Sequence, residues 1–115
     1  MNTVTIWIDA DSCPTLVRNH VVSYANKLNI EVKLVANKNI PMETTFPYQM
    51  IICNEEKDAA DIFILQNVKP YDLVITRDIV FADKLVTKEI HAINDRGTYF
   101  CKDNIKNLLS DRDFD

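Results

Sequence analysis

Short apolar runs alternate with helix-patterned segments along this chain, and that alternation constrains the fold more than any other feature. The strand-like runs cover residues 4–8, 31–36, 49–53, 72–76 and 91–94. The first of them, VTIWI, is apolar at nearly every position, as expected of a strand buried on both faces. After it, Val17, Val21, Tyr24, Ala25 and Leu28 recur at spacings of three and four and give a helix one apolar face. Asp11 or Ser12 is placed to cap that helix, with Pro14 in its first turn. The stretch KNIPMETTFPY, punctuated by Pro41 and Pro47, reads as a loop. EEKDAADIFILQNV reads as a second helix whose first turn carries the acids that suit a helix dipole. IVFADKLVTKE reads as a third, and the tail holds a short extended piece before a helix capped by Asp103. Strands separated by helices return parallel to one another. The pattern therefore predicts an α/β fold, a parallel sheet with helices on both faces.

Composition narrows what such a fold can do. Gly97 is the single glycine among 115 residues, which excludes the Gly-rich phosphate loops of dinucleotide-binding and P-loop folds. Any site must be built of side chains. The length suits one domain spanning residues 1–115, and 47% hydrophobic with 26% charged residues is ordinary for a globular protein. No apolar stretch approaches the roughly 18 residues of a membrane helix. Met1 leads almost directly into the first strand with no signal peptide, so a cytoplasmic location without membrane partners is expected. Cys13, Cys53 and Cys101 are odd in number, far apart and without zinc spacing, and they read as buried thiols. Cys13 differs in beginning a helix beside aspartates, where its thiolate could be stabilised. The net charge of −4 gives no general attraction to nucleic acid, whose phosphates would need local contacts or metal ions. A homodimer is compatible with all of this.

The run VTIWID ends in Asp9, and Asp11 follows after one alanine. Capping explains one carboxylate there and explains two poorly. Asp78 follows the fourth run in DLVITRD, and Asp58 and Asp61 stand three residues apart in DAAD, on one face of a helix start. In open α/β sheets, ligands bind beyond the carboxyl ends of the strands, where the strand order reverses. If the first and fourth strands are neighbours at such a point, Asp9, Asp11 and Asp78 converge, and the helix before the fourth strand brings in Asp61. Clustered carboxylates repel and raise one another's pKa. Mg²⁺ or Mn²⁺ relieves that repulsion, because hard cations take oxygen ligands. No Ser/His/Asp set is visible, and His20 and His91 fall on a helix and at a strand start. Asp83 reads as a solvated or outer group, and Glu55 and Glu56 as surface charges.

The segments IDADSCP, LVAN, DAAD, DLVITRD and NDRGTYF, with NI before RDF, resemble the YaiI/YqxD family of uncharacterised bacterial proteins in the same order along nearly the whole chain. That family is similar to PIN-like nucleases, so the resemblance implies a three-layer, Rossmann-like α/β/α sandwich with a mainly parallel sheet of about five strands. It also implies an acidic pocket that takes Mg²⁺ or Mn²⁺. The wider PIN pattern is an Asp ending the first strand (Asp9), an Asp opening a helix before the fourth (Asp61) and a T-x-D turn from Thr76 to Asp78. By that resemblance Asp9, Asp61 and Asp78 are the main metal ligands, and Asp11 and Asp58 are additional or water-mediated ones. Thr76 orients Asp78, Arg77 or Arg96 meets a phosphate, and Asn37 is a rim residue. Family members continue with a further basic, helical segment, so the chain reads as a short variant or as lacking that tail.

The leading expectation is thus a divalent-metal-dependent nuclease using Asp9, Asp11, Asp61 and Asp78, on RNA more than DNA. One alternative is a haloacid-dehalogenase-type phosphatase, since DADSC resembles D-x-D-x-T, with Asp9 as nucleophile and Asp11 as general acid. No convincing downstream lysine and paired-acid motif accompanies it. The other is a non-catalytic nucleic-acid or protein-binding module that retains the acids.

Overall fold

The computed structural model describes residues 4–56 and 58–113. Its first strand, β1 (Thr5–Asp9), carries Trp7, Ile8 and Asp9 buried in succession, as a strand covered on both faces requires. It pairs in parallel with β2 (Glu31–Ala36) on one side and β4 (Leu73–Ile75) on the other. β3 (Gln49–Ile52) extends the sheet beyond β2, and β5 (His91–Ile93) beyond β4, both in parallel. The order is β3-β2-β1-β4-β5, with β6 (Tyr99–Phe100) at the far edge, so the winding direction reverses between β1 and β4. The fold is the α/β class that the alternation predicts.

The sheet has six strands where the apolar runs suggest about five. The sixth, β6 (Tyr99–Phe100), is the extended piece of the tail, too short to show a period, and it returns antiparallel to β5. Its hairpin turns on Asn94, whose Oδ1 accepts from the N–H groups of Arg96 and Thr98 at 2.9 and 2.8 Å. Gly97 sits in that turn at φ +87°, a conformation that suits glycine.

Alternation along the strands divides the core between the two faces. Trp7, Val35 and Val74 pack with Phe81, Leu85, Phe100 and Ile105 beneath α2 (Ala59–Asn67), α3 (Ile79–Thr87) and α4 (Lys102–Asp113). Ile8, Leu34 and Ile75 face the other way, onto Val22 and Ala25 of α1 (Thr15–Lys27). Full burial of residues such as Ile8 or Leu34 stabilises the fold by about 1.5–3 kcal/mol each.

The local details depart from expectation in four places. The buried stripe of α1 is Arg18, Val22 and Ala25, whereas Tyr24 and Leu28 are more than half exposed, so the helix is rotated from its purely apolar spacing. Arg18 lies on the inward face, where its guanidinium donates to the backbone carbonyls of Ala10, Cys13 and Pro41. Neither Asp11 nor Ser12 caps α1: Ala10–Ser12 forms a short 3₁₀ turn, and Pro14 stands at the cap position. α2 starts at Ala59 rather than among the glutamates, because Asp58 takes a left-handed conformation at φ 66° that ends any earlier helix. Asp103 lies inside the first turn of α4, where Asn104 Oδ1 accepts from the Cys101 N–H at 2.9 Å. Among the described residues, no helix is long and apolar enough to cross a membrane.

At the amino end of the central strands, opposite the winding reversal, Asp72 is 1% exposed. Its carboxylate accepts from the Thr5 N–H at 2.9 Å, the Trp7 Nε1–H at 2.9 Å and the Lys69 N–H at 3.0 Å. This one side chain ties β1 to the loop entering β4.

Candidate functional site

The carboxyl ends of β1 and β4 are adjacent and carry Asp9, Asp11 and Asp78, while the start of α2 carries Asp58 and Asp61. A cavity of about 280 Å³ opens there, lined by Asp9, Asp11, Ser12, Asn37, Asp58, Ala60, Asp61 and Asp78. Five carboxylates from three separate segments therefore share one concavity. A larger cleft of about 480 Å³ lies at the amino ends of β2 and β3, but among its described lining residues Glu31 is the one carboxylate. The clustered carboxylates are in the smaller cavity.

Each strand-end acid is fixed by one of its oxygens. Asp9 is 5% exposed, and its Oδ2 accepts from the hydroxyls of Thr76 at 2.7 Å and Ser12 at 3.0 Å. Thr76 Oγ1 in turn accepts from the Asp78 N–H at 3.0 Å. Asp78 caps α3 by accepting from the Phe81 N–H through Oδ1 at 3.2 Å, so capping and cavity lining coexist in one residue. Asp11 Oδ2 accepts from the Asn37 N–H at 2.8 Å, while Asn37 Oδ1 accepts from the Ala60 N–H at 3.2 Å. Asn37 thus joins the first acidic turn to the start of α2, where Asp58 and Asp61 stand.

Burial and repulsion from neighbouring carboxylates act on Asp9 and Asp61 in the same direction. Burial raises the Asp9 carboxyl above its ordinary range; the Thr76 and Ser12 hydroxyls oppose this, and the charges of Asp11 and Asp78 add to it. Asp61 is pushed up to about 7, first by burial and then by Asp9, Asp78 and Asp58, with Lys84 opposing. Among the described residues, no three His, Cys, Asp or Glu side chains are gathered into a ready metal-ligand set. The five carboxylates line the cavity without closing on a single point.

Not every candidate joins them. Thr76 is 1% exposed and lies beneath Asp9 rather than in the lining, as a support. Arg77 turns its guanidinium onto Asp95, with Nε to Oδ1 at 2.9 Å and a second bond at 2.8 Å, and is outside the lining. Arg96 belongs to the β5–β6 turn and is likewise outside it. His91 pairs through Nδ1 with the Tyr99 hydroxyl at 2.8 Å, at the start of β5. Cys13 is buried, and its thiol is pushed up to about 11 by that burial, so the thiolate is disfavoured where the helix start suggested support for it. Ser12 is the residue that sequence reasoning took only for a cap. Its hydroxyl touches Asp9 and accepts from the Arg77 N–H at 3.1 Å, bridging the β1 and β4 ends.

The Thr76 hydroxyl is testable by itself. Thr76→Val keeps the shape but leaves Asp9 with Ser12 alone and the Asp78 N–H without its acceptor. A loss of about 1–3 kcal/mol is expected by urea denaturation. An unchanged midpoint would show that this hydroxyl does not hold the site.

An α/β sheet wound in both directions from a central strand pair, with an acidic cavity at the reversal, defines the class of protein. The sequence profile of the uncharacterised YaiI/YqxD family matches residues 7–115, and this chain belongs to that family. It is 42% identical over 109 residues to a UPF0178 protein of Treponema denticola, covering 95% of this chain and 69% of that one. A UPF0178 protein of Photobacterium profundum is also 42% identical over 109 residues, with 95% of this chain and 73% of the relative covered. No solved structure matches the chain.

Proposed function

We propose that the acidic cavity is the active site of a divalent-metal-dependent phosphodiesterase, a nuclease acting on RNA more readily than DNA. One observation carries this reading: Asp9, Asp11, Asp58, Asp61 and Asp78 line a single cavity where the strand order reverses. The preference for RNA comes from the likeness to PIN-like nucleases.

The donor chemistry fits Mg²⁺ or Mn²⁺. Carboxylate oxygens are the ligands of hard cations, and no histidine or cysteine enters the described lining. By the family resemblance Asp9, Asp61 and Asp78 would hold the ion directly, with Asp11 and Asp58 acting through water. No three of the described side chains are gathered closely enough to do so as they stand, so direct ligation requires these carboxylates to draw together around the ion. When bound, such an ion supplies Lewis-acid charge to a phosphoryl oxygen and acidifies a water. The protein's own contribution is orientation. Thr76 and Ser12 fix Oδ2 of Asp9, Phe81 N–H fixes Oδ1 of Asp78, and Asn37 N–H fixes Oδ2 of Asp11.

The test compares cleavage of RNA and single-stranded DNA oligonucleotides by wild type and Asp78→Asn, with Mn²⁺, Mg²⁺ or chelator. Asparagine also caps helices, so the variant keeps α3 while losing a charge. Metal-dependent cutting that is abolished by the substitution is the expected result. Cutting that persists in chelator or in Asp78→Asn would overturn the reading.

The second reading is a non-catalytic binding module that retains the acids. It is favoured by the lack, among the described residues, of a ready metal-ligand set. Its signature is Mn²⁺ binding or complex formation with a nucleic acid or protein, in either case without turnover of either oligonucleotide.

A further inference from the structure

Arg18 is 6% exposed, and no carboxylate of the described residues pairs with its guanidinium. Its partners are neutral oxygens. One terminal nitrogen donates to the carbonyls of Cys13 and, at 3.4 Å, Ala10; the other donates to Thr15 Oγ1 at 2.9 Å and to the Pro41 carbonyl at 3.4 Å. Nε has no partner. A buried guanidinium with one idle N–H is costly for a helix that could have placed a leucine there. What this one grips is specific.

Ala10 and Cys13 bracket the 3₁₀ turn that holds Asp11 and Ser12, and Pro41 lies four residues beyond Asn37 in the loop after β2. The two segments also meet at the cavity itself, where the Asn37 N–H donates to Asp11. Arg18 grips both of them from the interior side, and Asn37 passes the constraint to α2 through the Ala60 N–H. The planar fork matters here, since its donors reach separate segments in fixed directions, which an ammonium cannot reproduce.

We propose that Arg18 is a positioning residue of the acidic cavity: its buried fork locks the Ala10–Ser12 turn against the loop that follows β2, and so sets Asp11 and Asn37 relative to Asp9. Its relevance to metal binding rests on the function proposed above, whereas the lock itself does not. Arg18 touches neither substrate nor ion in this role.

Amide hydrogen exchange on the metal-free protein tests the lock, with Arg18→Lys and Arg18→Met compared with wild type. Exchange at the Asn37 amide is expected to speed up about tenfold in both variants, while the amides of Leu34 and Val35 in β2 keep their wild-type protection. Loss of protection spread equally over β2 would mean a general structural role and would overturn the proposal. Unchanged protection at Asn37 in Arg18→Lys would do the same, and this variant retains the charge should Arg18→Met fail to fold. A Mn²⁺ titration separates the two proposals. If wild type binds Mn²⁺, Arg18→Lys should bind it about tenfold more weakly. If wild type binds none, the metal reading falls while the exchange result still judges Arg18.

Discussion

Replacing Asp72 by alanine is expected to destabilise the protein by about 3–5 kcal/mol, a large part of the 5–15 kcal/mol typical of a domain. Three N–H donors lose their acceptor together: Thr5 N, Trp7 Nε1 and Lys69 N. The indole is the most costly of them, because Trp7 is 3% exposed and cannot turn its N–H to water. Its ring is held in place by Phe63 at 6.3 Å and by the Lys33 ammonium at 4.9 Å from the ring centroid. Asp72→Asn should cost less, since one amide oxygen can still serve two donors while the NH₂ group faces a third. Asp83→Ala, away from this network, should lie within about 0.5 kcal/mol of wild type. Urea midpoints of the three variants decide the matter. An Asp72→Ala midpoint equal to that of Asp83→Ala would refute the account. The effect extends to the site, because Asp72 ties β1 to the approach to β4, and the carboxyl ends of those strands carry Asp9 and Thr76.

The same contrast shows why part of this protein is legible in its sequence and part is not. Strand positions follow from local hydrophobicity, so β1 through β5 and their parallel pairing can be read from apolar runs separated by helices. Asp9, Asp11 and Asp78 are legible for a related reason: each follows a strand, and a parallel sheet aligns strand ends. Asp72 and Arg18 break the rule that charges lie outside, and no period announces them. Their burial is set by which backbone groups need a partner, a property of the assembled chain. The Arg77–Asp95 pair joins residues 18 apart through the side-by-side placement of β4 and β5, which single-sequence reasoning cannot supply at side-chain resolution. Ser12 had a faint signal, a hydroxyl three residues after a strand-ending acid, and the capping interpretation obscured it.

Asp61 should make the metal-free protein less stable as pH rises from 4 to 7.5, and Asp61→Asn should remove that loss. Its carboxyl moves from an ordinary 3.8 to about 7 on folding. Below 3.8 both states are protonated and the group contributes nothing to stability. Between these values the unfolded chain ionises first, and the folded state loses ground until Asp61 itself ionises near 7, above which the whole penalty is present. Because Asp61 is only half-buried, water screens it, and the penalty is about 1–2 kcal/mol rather than the full value of the shift. Asp61→Asn should therefore match wild type near pH 4 and exceed it by that amount at pH 7.5, which raises the melting temperature by about 4–8 °C per kcal/mol. Equal stabilities at both pH values would remove the electrostatic account. Mn²⁺ supplies the complementary arm. If the cavity binds it, saturation at about a hundred times Kd should stabilise wild type by about 2.7 kcal/mol at pH 7.5. Asp61→Asn should gain much less, because it has already lost both the repulsion and the ligand. If that gain is measured, the penalty Asp61 imposes on the empty fold is stability traded for a charge that a cation uses.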